Sequence, residues 1–318
     1  MYRLVCILLF LPLACTKPET EPAPAAEIAP APVNQPTGEV VSFSGEPIPA
    51  PTFSDEARAK MEAQLSEART NYEADPSADN GIWLGRRTAY LGRYQEAIKI
   101  YSNLITKHPE DARLYRHRGH RYISIRKLDE AIADYERAVE LIAGKEDEVE
   151  PDGMPNAQNL PRTTLQSNIW YHLGLARYLK GDFEGALTAY RECLNVSKND
   201  DGLTSTSHWL YMTLRRLNRA EEAAKVLEQI QSEMDIIENH GYHRLLLMYK
   251  GELQPEALFN PNGEDALNAA TEGYGVANWY FYNGEKEKAQ QALSAILTGS
   301  SKFAFGYIAA ESDLARVK

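Results

Sequence analysis

The sequence is short of the features that mark several common classes of protein. Its 318 residues hold only three cysteines, too few for a disulfide framework, and no zinc-type cluster of cysteine and histidine. No apolar run approaches the ~20 residues that a membrane-spanning helix needs. Positive charge is also scarce, because 34 Lys and Arg stand against 45 Asp and Glu. The net charge of −11 argues against general binding to nucleic acid or anionic lipid, and we predict an acidic globular chain without a nucleic-acid partner.

Local motifs of catalysis are missing as well. The sequence has no His-Glu-x-x-His, no Gly-x-Ser-x-Gly, no glycine-rich phosphate loop and no Cys-x-x-Cys pair. Two histidine pairs at three-residue spacing, His117/His120 and His240/His243, have no carboxylate or cysteine placed to complete a metal site. We therefore predict no catalytic residue, no metal site and no cofactor.

The N-terminus has the composition of a bacterial export signal. One arginine precedes an apolar run over residues 4–14, which ends at Cys15. This length suits a signal peptide and is too short to span a bilayer. Residues 11–15 resemble a lipobox, although the second and third of them depart from the usual pattern. The resemblance implies a lipoprotein signal peptide over residues 1–14 and acylation of Cys15, palmitate included. The alternative is an ordinary secretory signal that is cut further along the chain.

A proline-rich stretch follows this cysteine. Nine of the seventeen prolines lie within residues 16–51. Such a stretch lacks backbone donors for regular hydrogen bonding, so we predict a disordered, extended tether over residues 15–52. At ~3 Å per residue it reaches on the order of 100 Å. A lipidated cysteine, followed by a spacer and then a folded domain, predicts that the protein is anchored in the bacterial cell envelope and faces the periplasm. Thr16, rather than Asp, after the cysteine favours the outer membrane over the inner.

The body of the chain repeats with a period of 34 residues. Three columns keep their offsets over three units: Gly85, Gly119 and Gly174; Ala97, Ala131 and Ala186; Tyr101, Tyr135 and Tyr190. Each unit has the pattern of two helices, with a small residue on each where they cross and an aromatic residue that fills the gap. These columns resemble a tetratricopeptide repeat. The resemblance implies an all-α fold, an α-solenoid of stacked helix-turn-helix units.

The repeats define the predicted organisation of residues 53–318. We place them at about 78–111, 112–145, 167–200, 204–237 and 268–301, with a degenerate unit at 239–259. Capping helices are predicted at 53–74, beginning at Ser54, and at 303–317. An acidic insertion at 146–166, with several prolines, interrupts the register. It is interpreted as a tolerated surface loop, and the alternatives are a flank of a binding groove and a shield over a basic patch.

In the family that this chain resembles, the first helix of each pair lines a concave groove. The family's groove positions fall on Arg86, Arg113, Arg116, His120, Asn168, Tyr171, Tyr178, His208 and Arg215. From Arg113 to Lys127 the chain has six Lys or Arg, two His and no acid. We therefore expect the groove to bind an acidic or carboxylate-ended segment. The alternative is a basic helix face that is merely solvated.

Together these features predict a non-catalytic protein-binding scaffold, or adaptor, that is lipid-anchored in the cell envelope. A weaker resemblance to NlpI-type lipoproteins implies other envelope proteins as partners, with cell-wall or envelope-assembly enzymes first. It depends on the placement of residues 209–212, 242–246 and 277–280. A periplasmic small-ligand or peptide receptor is the alternative, and an enzyme ranks third. The aromatic residues between Tyr274 and Tyr282 are expected in the core, with a partner or homodimer surface as the alternative.

Overall fold

The fold is known from a computed structural model, which describes residues 40–259 and 266–317. The predicted signal peptide, Cys15 and most of the predicted tether lie outside the described residues. Within them, two short strands, β1 and β2, precede thirteen α-helices, α1 to α13 in chain order. Their bounds are Val40–Val41, Pro47–Ile48, Asp55–Ala74, Ala78–Tyr90, Tyr94–Lys107, Ala112–Ser124, Leu128–Ile142, Leu165–Lys180, Phe183–Val196, Asp200–Arg216, Ala220–Val226, His240–Tyr249, Ala266–Tyr282, Lys286–Thr298 and Phe305–Val317. The predicted all-α fold is confirmed.

Consecutive helices pack as pairs, and the pairs stack. The pairs are α2 with α3, α4 with α5, α6 with α7, α8 with α9 and α11 with α12, and each also contacts the next helix along the chain. The first helices contact one another as well, α2 with α4, α4 with α6, α6 with α8 and α8 with α11. We call the side that they present the first-helix face. No helix among the described residues has both the length and the apolar character to cross a bilayer.

The glycine columns of the sequence mark the places where the helices of a pair approach most closely. A Cβ atom on Gly85 would lie 2.4 Å from the ring of Tyr101, and one on Gly174 would lie 2.7 Å from the ring of Tyr190. Both tyrosines are fully buried. Because real Cβ contacts are longer than this, only glycine leaves room for the aromatic ring of the paired helix.

The turn inside each repeat uses one left-handed residue. It is Gly92 in the first pair, with φ of 78°, and Gly181 in the third, with φ of 87°. Arg126 takes the same position in the second pair with φ of 65°, and Asn218 takes it in the fourth with φ of 59°. A left-handed conformation costs a residue that carries a Cβ roughly 1–2 kcal/mol, so other contacts must hold Arg126 there.

The end of the predicted tether is folded, which corrects the expectation for residues 40–52. Strands β1 and β2 pair antiparallel, with Val40 opposite Ile48, and Gly45 turns the chain with φ of 91°. Val40 and Ile48 are buried against the first helix pairs. The many prolines predicted disorder here, but apolar residues on both sides of a glycine turn are the sequence pattern of a hairpin.

The C-terminal cap turns back along the solenoid. Helix α13 packs on α11 and α12 and also on α6, seven helices earlier in the chain. The aromatic residues before it belong to the core, as expected: Tyr274 and Tyr280 are buried, whereas Phe281 is 40% exposed. Nothing in the described residues assigns a second copy of the chain to this surface.

Candidate functional site

The predicted groove residues of the first two repeats lie together, but the insertion covers them. Its residues 148–153, which we call the acidic segment, cross the first-helix face over α2 and α4. The carboxylate of Glu150 lies 3.0 Å from Nε of Arg116 and 3.5 Å from Nε2 of His117. Asn168, on α6, donates a hydrogen bond to the same carboxylate at 2.9 Å. Arg116 and Glu150 are both at least nine-tenths buried, so this ion pair is shielded from water.

The main chain of the acidic segment is held as a bound peptide would be. Nη1 of Arg86 donates to the carbonyl of Pro151 at 2.8 Å, and Nη1 of Arg87 donates to the carbonyl of Gly153 at 3.0 Å. A Cβ atom on Gly153 would lie 1.8 Å from the hydroxyl of Tyr90. The main chain of the segment therefore approaches α2 so closely that a side chain at position 153 would require Tyr90 and Arg86 to move.

Close to the start of α6, the two ends of the insertion are joined by backbone hydrogen bonds of the antiparallel type. Glu150 donates its backbone N–H to the carbonyl of Thr163 at 3.0 Å, and Leu165 donates to the carbonyl of Glu148 at 2.9 Å. Beyond this, Val149, Met154 and Leu160 are 63%, 73% and 49% exposed. These three side chains are solvated, whereas Arg162, further along the insertion, pairs with the buried carboxylate of Asp201 at 2.9 Å.

The basic stretch from Arg113 to Lys127 is not a free cationic face. Arg113 pairs with Asp79 and Asp111, each at 2.7 Å. Arg118 pairs with Asp134 at 2.6 Å, and Arg126 pairs with Glu311 at 2.8 Å. The stretch itself has no acid, so residues outside it, from the adjacent Asp111 to the distant Glu311, supply the compensating charge. Of the three interpretations of the insertion, shielding of the basic patch is the one that its contacts support.

Histidines cluster in the interior beside these arginines. The rings of His120 and His172 are 4.7 Å apart, and Phe305 packs on both at 5.6 Å. Burial, reinforced by nearby arginines, lowers the pKa of His117 and His120 well below the ordinary value. Burial likewise lowers the pKa of His172 to about 3. These histidines are therefore neutral at physiological pH and offer the groove no additional positive charge.

The predicted groove positions of the later repeats are buried by the chain itself. Tyr178 is 0% exposed, with its hydroxyl 3.1 Å from that of Tyr274, which in turn donates to Asp313 of α13 at 2.9 Å. His208 is 1% exposed, and its ring stacks on Tyr242 at 4.7 Å. The expectation that Tyr178 and His208 line an open groove is therefore corrected, because α10, α11 and α13 occupy this part of the face.

Arg215 is partly exposed, and its surroundings are aromatic rather than acidic. Its guanidinium lies 4.3 Å from the centroid of the Tyr282 ring and donates to the hydroxyl of Tyr211 at 3.1 Å. These contacts hold Arg215 at the edge of the solenoid, away from the acidic segment. It therefore does not form a single site with Arg86 and Arg116.

Cavities open at separate places along the first-helix face, and two of them adjoin predicted groove residues. One, of about 260 Å³, lies between α2, α4 and the acidic segment and is lined by Trp83, Arg86, Arg113 and Glu150 among others. The other, of about 240 Å³, lies between α6 and α8, and its lining includes Asn168, Tyr171, Thr206, Tyr242 and Phe305. The structure thus divides the predicted continuous groove into separate pockets.

Sequence reasoning missed two residues that shape the site. Glu150 supplies the buried acid, and Trp83 carries the guanidinium of Arg86 4.6 Å from its ring centroid. The signal for Glu150 was present, because the insertion is acidic and follows the most basic helix. Its partner was not predictable, since that pairing depends on how a 20-residue loop crosses the face. Among the described residues, no His, Cys, Asp and Glu group could hold a metal ion.

The repeats match a known family. The sequence profile of the tetratricopeptide repeat matches residues 84–146, and a second profile of the same description matches residues 167–200. The chain contains tetratricopeptide repeats. Its matched units contain α2 to α7, the helices that carry the acidic segment and its arginine partners.

Parts of this chain are similar to two curated proteins and to a solved structure. The Hsp70-Hsp90 organizing protein of Triticum aestivum is 28% identical over 53% of this chain and 26% of its own length. Hsp70-Hsp90 organizing protein 1 of Glycine max is 27% identical over 52% and 25%. The chain thus spans about a quarter of the length of these relatives. One similar solved structure is that of YrrB, which is described as a TPR protein with an unusual peptide-binding site. The match covers 73% of this chain and 91% of the YrrB chain, with 16% sequence identity and a TM-score of 0.42.

Proposed function

We propose that this tetratricopeptide protein is a non-catalytic scaffold that binds segments of partner proteins on its first-helix face. One observation carries the proposal: α2 and α4 already hold an extended acidic peptide, the chain's own residues 148–153, through Arg86 and Arg116. A face that binds a main chain through arginine donors and a carboxylate through a buried arginine has the chemistry of a peptide-binding surface.

Position-specific crosslinking in cells tests the scaffold. A photoreactive residue in place of Arg113 or Arg215 samples the first-helix face, where both side chains are partly exposed. The same residue in place of Lys99, exposed on the second helix of its pair, is the matched control. We expect a discrete crosslinked protein from a first-helix position that Lys99 does not capture. Identical capture at all three positions, or none at any, would remove the proposal.

The scaffold is proposed to be lipid-anchored in the bacterial cell envelope, on the periplasmic side. The support is the N-terminal sequence, in which Cys15 closes an apolar run of signal-peptide length. Partners would then be other envelope proteins, with cell-wall or envelope-assembly enzymes first. Cys15→Ala should release the chain from membranes and abolish incorporation of a labelled fatty acid, while Cys6→Ala should do neither. Continued acylation of the Cys15→Ala variant would contradict anchoring at this residue.

A receptor for a small ligand is the second candidate, and the cavity between α6 and α8 favours it. Asn168, Tyr171 and Thr206 present polar groups to a space of about 240 Å³. A ligand that binds only the folded chain raises its melting temperature with concentration. We expect that any amino-acid-like or glycan fragment that does so loses its effect in Thr206→Val. If no fragment in the screen shifts the melting temperature with concentration, the receptor is excluded and the scaffold is the remaining candidate.

A further inference from the structure

The acidic segment covers the arginine surface of the first two repeats through few contacts. One carboxylate, that of Glu150, meets Arg116, and two carbonyls, those of Pro151 and Gly153, accept from α2. The opposite edge of the segment is bonded to the start of α6, through Glu150 to Thr163, Leu165 to Glu148 and Asn168 to the Glu150 carboxylate. The side chains of Val149 and Met154 are 63% and 73% exposed. The contacts that the segment makes with α2 and α4 use one carboxylate and two carbonyl groups, and an external strand of the same chemistry can replace contacts of this kind.

The charges beneath the segment determine what can replace it. Arg116 is 9% exposed and has Glu150 as its nearby acid, while Arg86 meets a carbonyl oxygen of the segment and the ring of Trp83. If the segment lifts away, Arg116 and Arg86 face an open surface without these acceptors. An incoming segment therefore needs a carboxylate at the position of Glu150 and an extended main chain beside it.

We infer that the surface formed by α2 and α4 binds an extended acidic segment of a partner protein, one carboxylate on Arg116, and that residues 148–153 occupy this surface until the partner displaces them. This inference rests on the proposed scaffold function and specifies its surface and its ligand. Because the internal segment competes, the observed affinity for a partner is lower than the intrinsic affinity by the fraction of molecules in which the surface is open.

A charge swap tests the competition in the full-length chain. The probe is a fluorescent peptide with the sequence of residues 146–154, measured by anisotropy. Glu150→Lys places a second cation beside Arg116 and should release the segment, so that the peptide binds at least tenfold more tightly than to the native chain. Arg116→Glu combined with Glu150→Lys restores an ion pair of reversed polarity, and peptide binding should fall to the native level or below. Glu146→Lys, an exposed change in the same insertion, is the control and should give no gain.

Two results would overturn the inference: a Glu150→Lys chain that is helical by circular dichroism but binds the peptide no better than the native chain, or a charge-swapped chain that binds as tightly as Glu150→Lys. If Glu150→Lys does not fold, hydrogen exchange on the native chain decides. Excess unlabelled peptide should then accelerate exchange of the Glu150 amide, which donates to Thr163, and unchanged exchange would overturn the inference.

The outcomes for this surface and for the scaffold are separable. Failure of the peptide experiments, together with a specific crosslink from Arg215 alone, overturns the surface assigned here and leaves the scaffold. Absence of any specific crosslink removes the scaffold, whatever the peptide does.

Discussion

The carboxylate of Glu311 lies 2.8 Å from Nη2 of Arg126, the arginine whose backbone is left-handed in the turn of the second repeat. The two side chains are 7% and 3% exposed. Nη1 and Nη2 of Arg126 also donate to the carbonyls of Ser124 and Lys302, each at 2.7 Å. These contacts connect a repeat turn to the C-terminal cap across 185 residues, and they hold the strained backbone of Arg126 in place.

This pair predicts a large effect of a single substitution. Glu311→Ala leaves the guanidinium of Arg126 buried without its acid and should lower the free energy of unfolding by about 3 kcal/mol. The control is Glu140→Ala, which breaks the exposed ion pair of Glu140 with Arg137 and should have no measurable effect. Urea unfolding followed by circular dichroism measures both. Equal midpoints for the two variants would show that the cap contributes no buried charge pair.

The glycine column predicts an opposite response at two helical glycines. Gly174→Ala should lower the free energy of unfolding by about 2 kcal/mol, because the new methyl group would overlap the buried ring of Tyr190. The new methyl group of Gly202→Ala would meet Ser197 at 3.4 Å and Asn199 at 3.6 Å, which are ordinary contact distances, so this change should be neutral or stabilising by about 0.5 kcal/mol. Thermal and urea unfolding compare the two. A stabilising effect of Gly174→Ala would mean that the helix pair can open without cost.

The second repeat has Arg118 where the first and third repeats have the buried Leu84 and Leu173, and Asp134 compensates for it. Arg118 donates to both carboxylate oxygens of Asp134, at 2.8 and 2.6 Å. Arg118→Leu alone leaves Asp134, 5% exposed, without its cation and should cost about 3 kcal/mol. Arg118→Leu with Asp134→Ala should recover most of that loss, and a double-mutant cycle measures the coupling. Additive losses in the double variant would contradict the pairing.

Stability should depend on pH through the buried histidines. Burial lowers the pKa of His172 and of His208 to about 3 in the folded chain, so the unfolded chain takes up protons first as the pH falls. Their contribution is complete above the unfolded pKa of about 6.5 and is lost progressively between about pH 6.5 and pH 3. At pH 5.5 the burial of each histidine should make the free energy of unfolding about 1.4 kcal/mol lower than at pH 8.

The variant His208→Phe isolates one of these histidines. Its free energy of unfolding should fall less than that of the native chain between pH 8 and pH 5.5, by about 1.4 kcal/mol, whatever its stability at pH 8. Urea titrations at a series of pH values measure the difference. Parallel pH curves for the two chains would show that His208 has the same pKa in the folded and the unfolded chain, which would contradict the effect of its burial.

What the sequence determined by itself is the local and repeating part of the molecule. Helix positions followed from apolar periodicity and from capping residues such as Ser54, whose hydroxyl accepts from the amide of Ala57 at 3.2 Å. The columns of Gly85 and Tyr101 specified the helix pairs, because partners only sixteen residues apart must meet within one unit. Such contacts leave a regular imprint on the sequence, since every repeat solves the same packing problem.

The tertiary structure alone decided which parts of the first-helix face are free. The hairpin at residues 40–48, the acidic segment and helix α13 pack on the repeats through contacts between residues far apart in sequence, such as Glu150 with Arg116 and Glu311 with Arg126. A buried charge on a helix requires a partner, but any acid in the chain can provide it. The sequence shows the requirement, and only the path of the folded chain selects the residue that meets it.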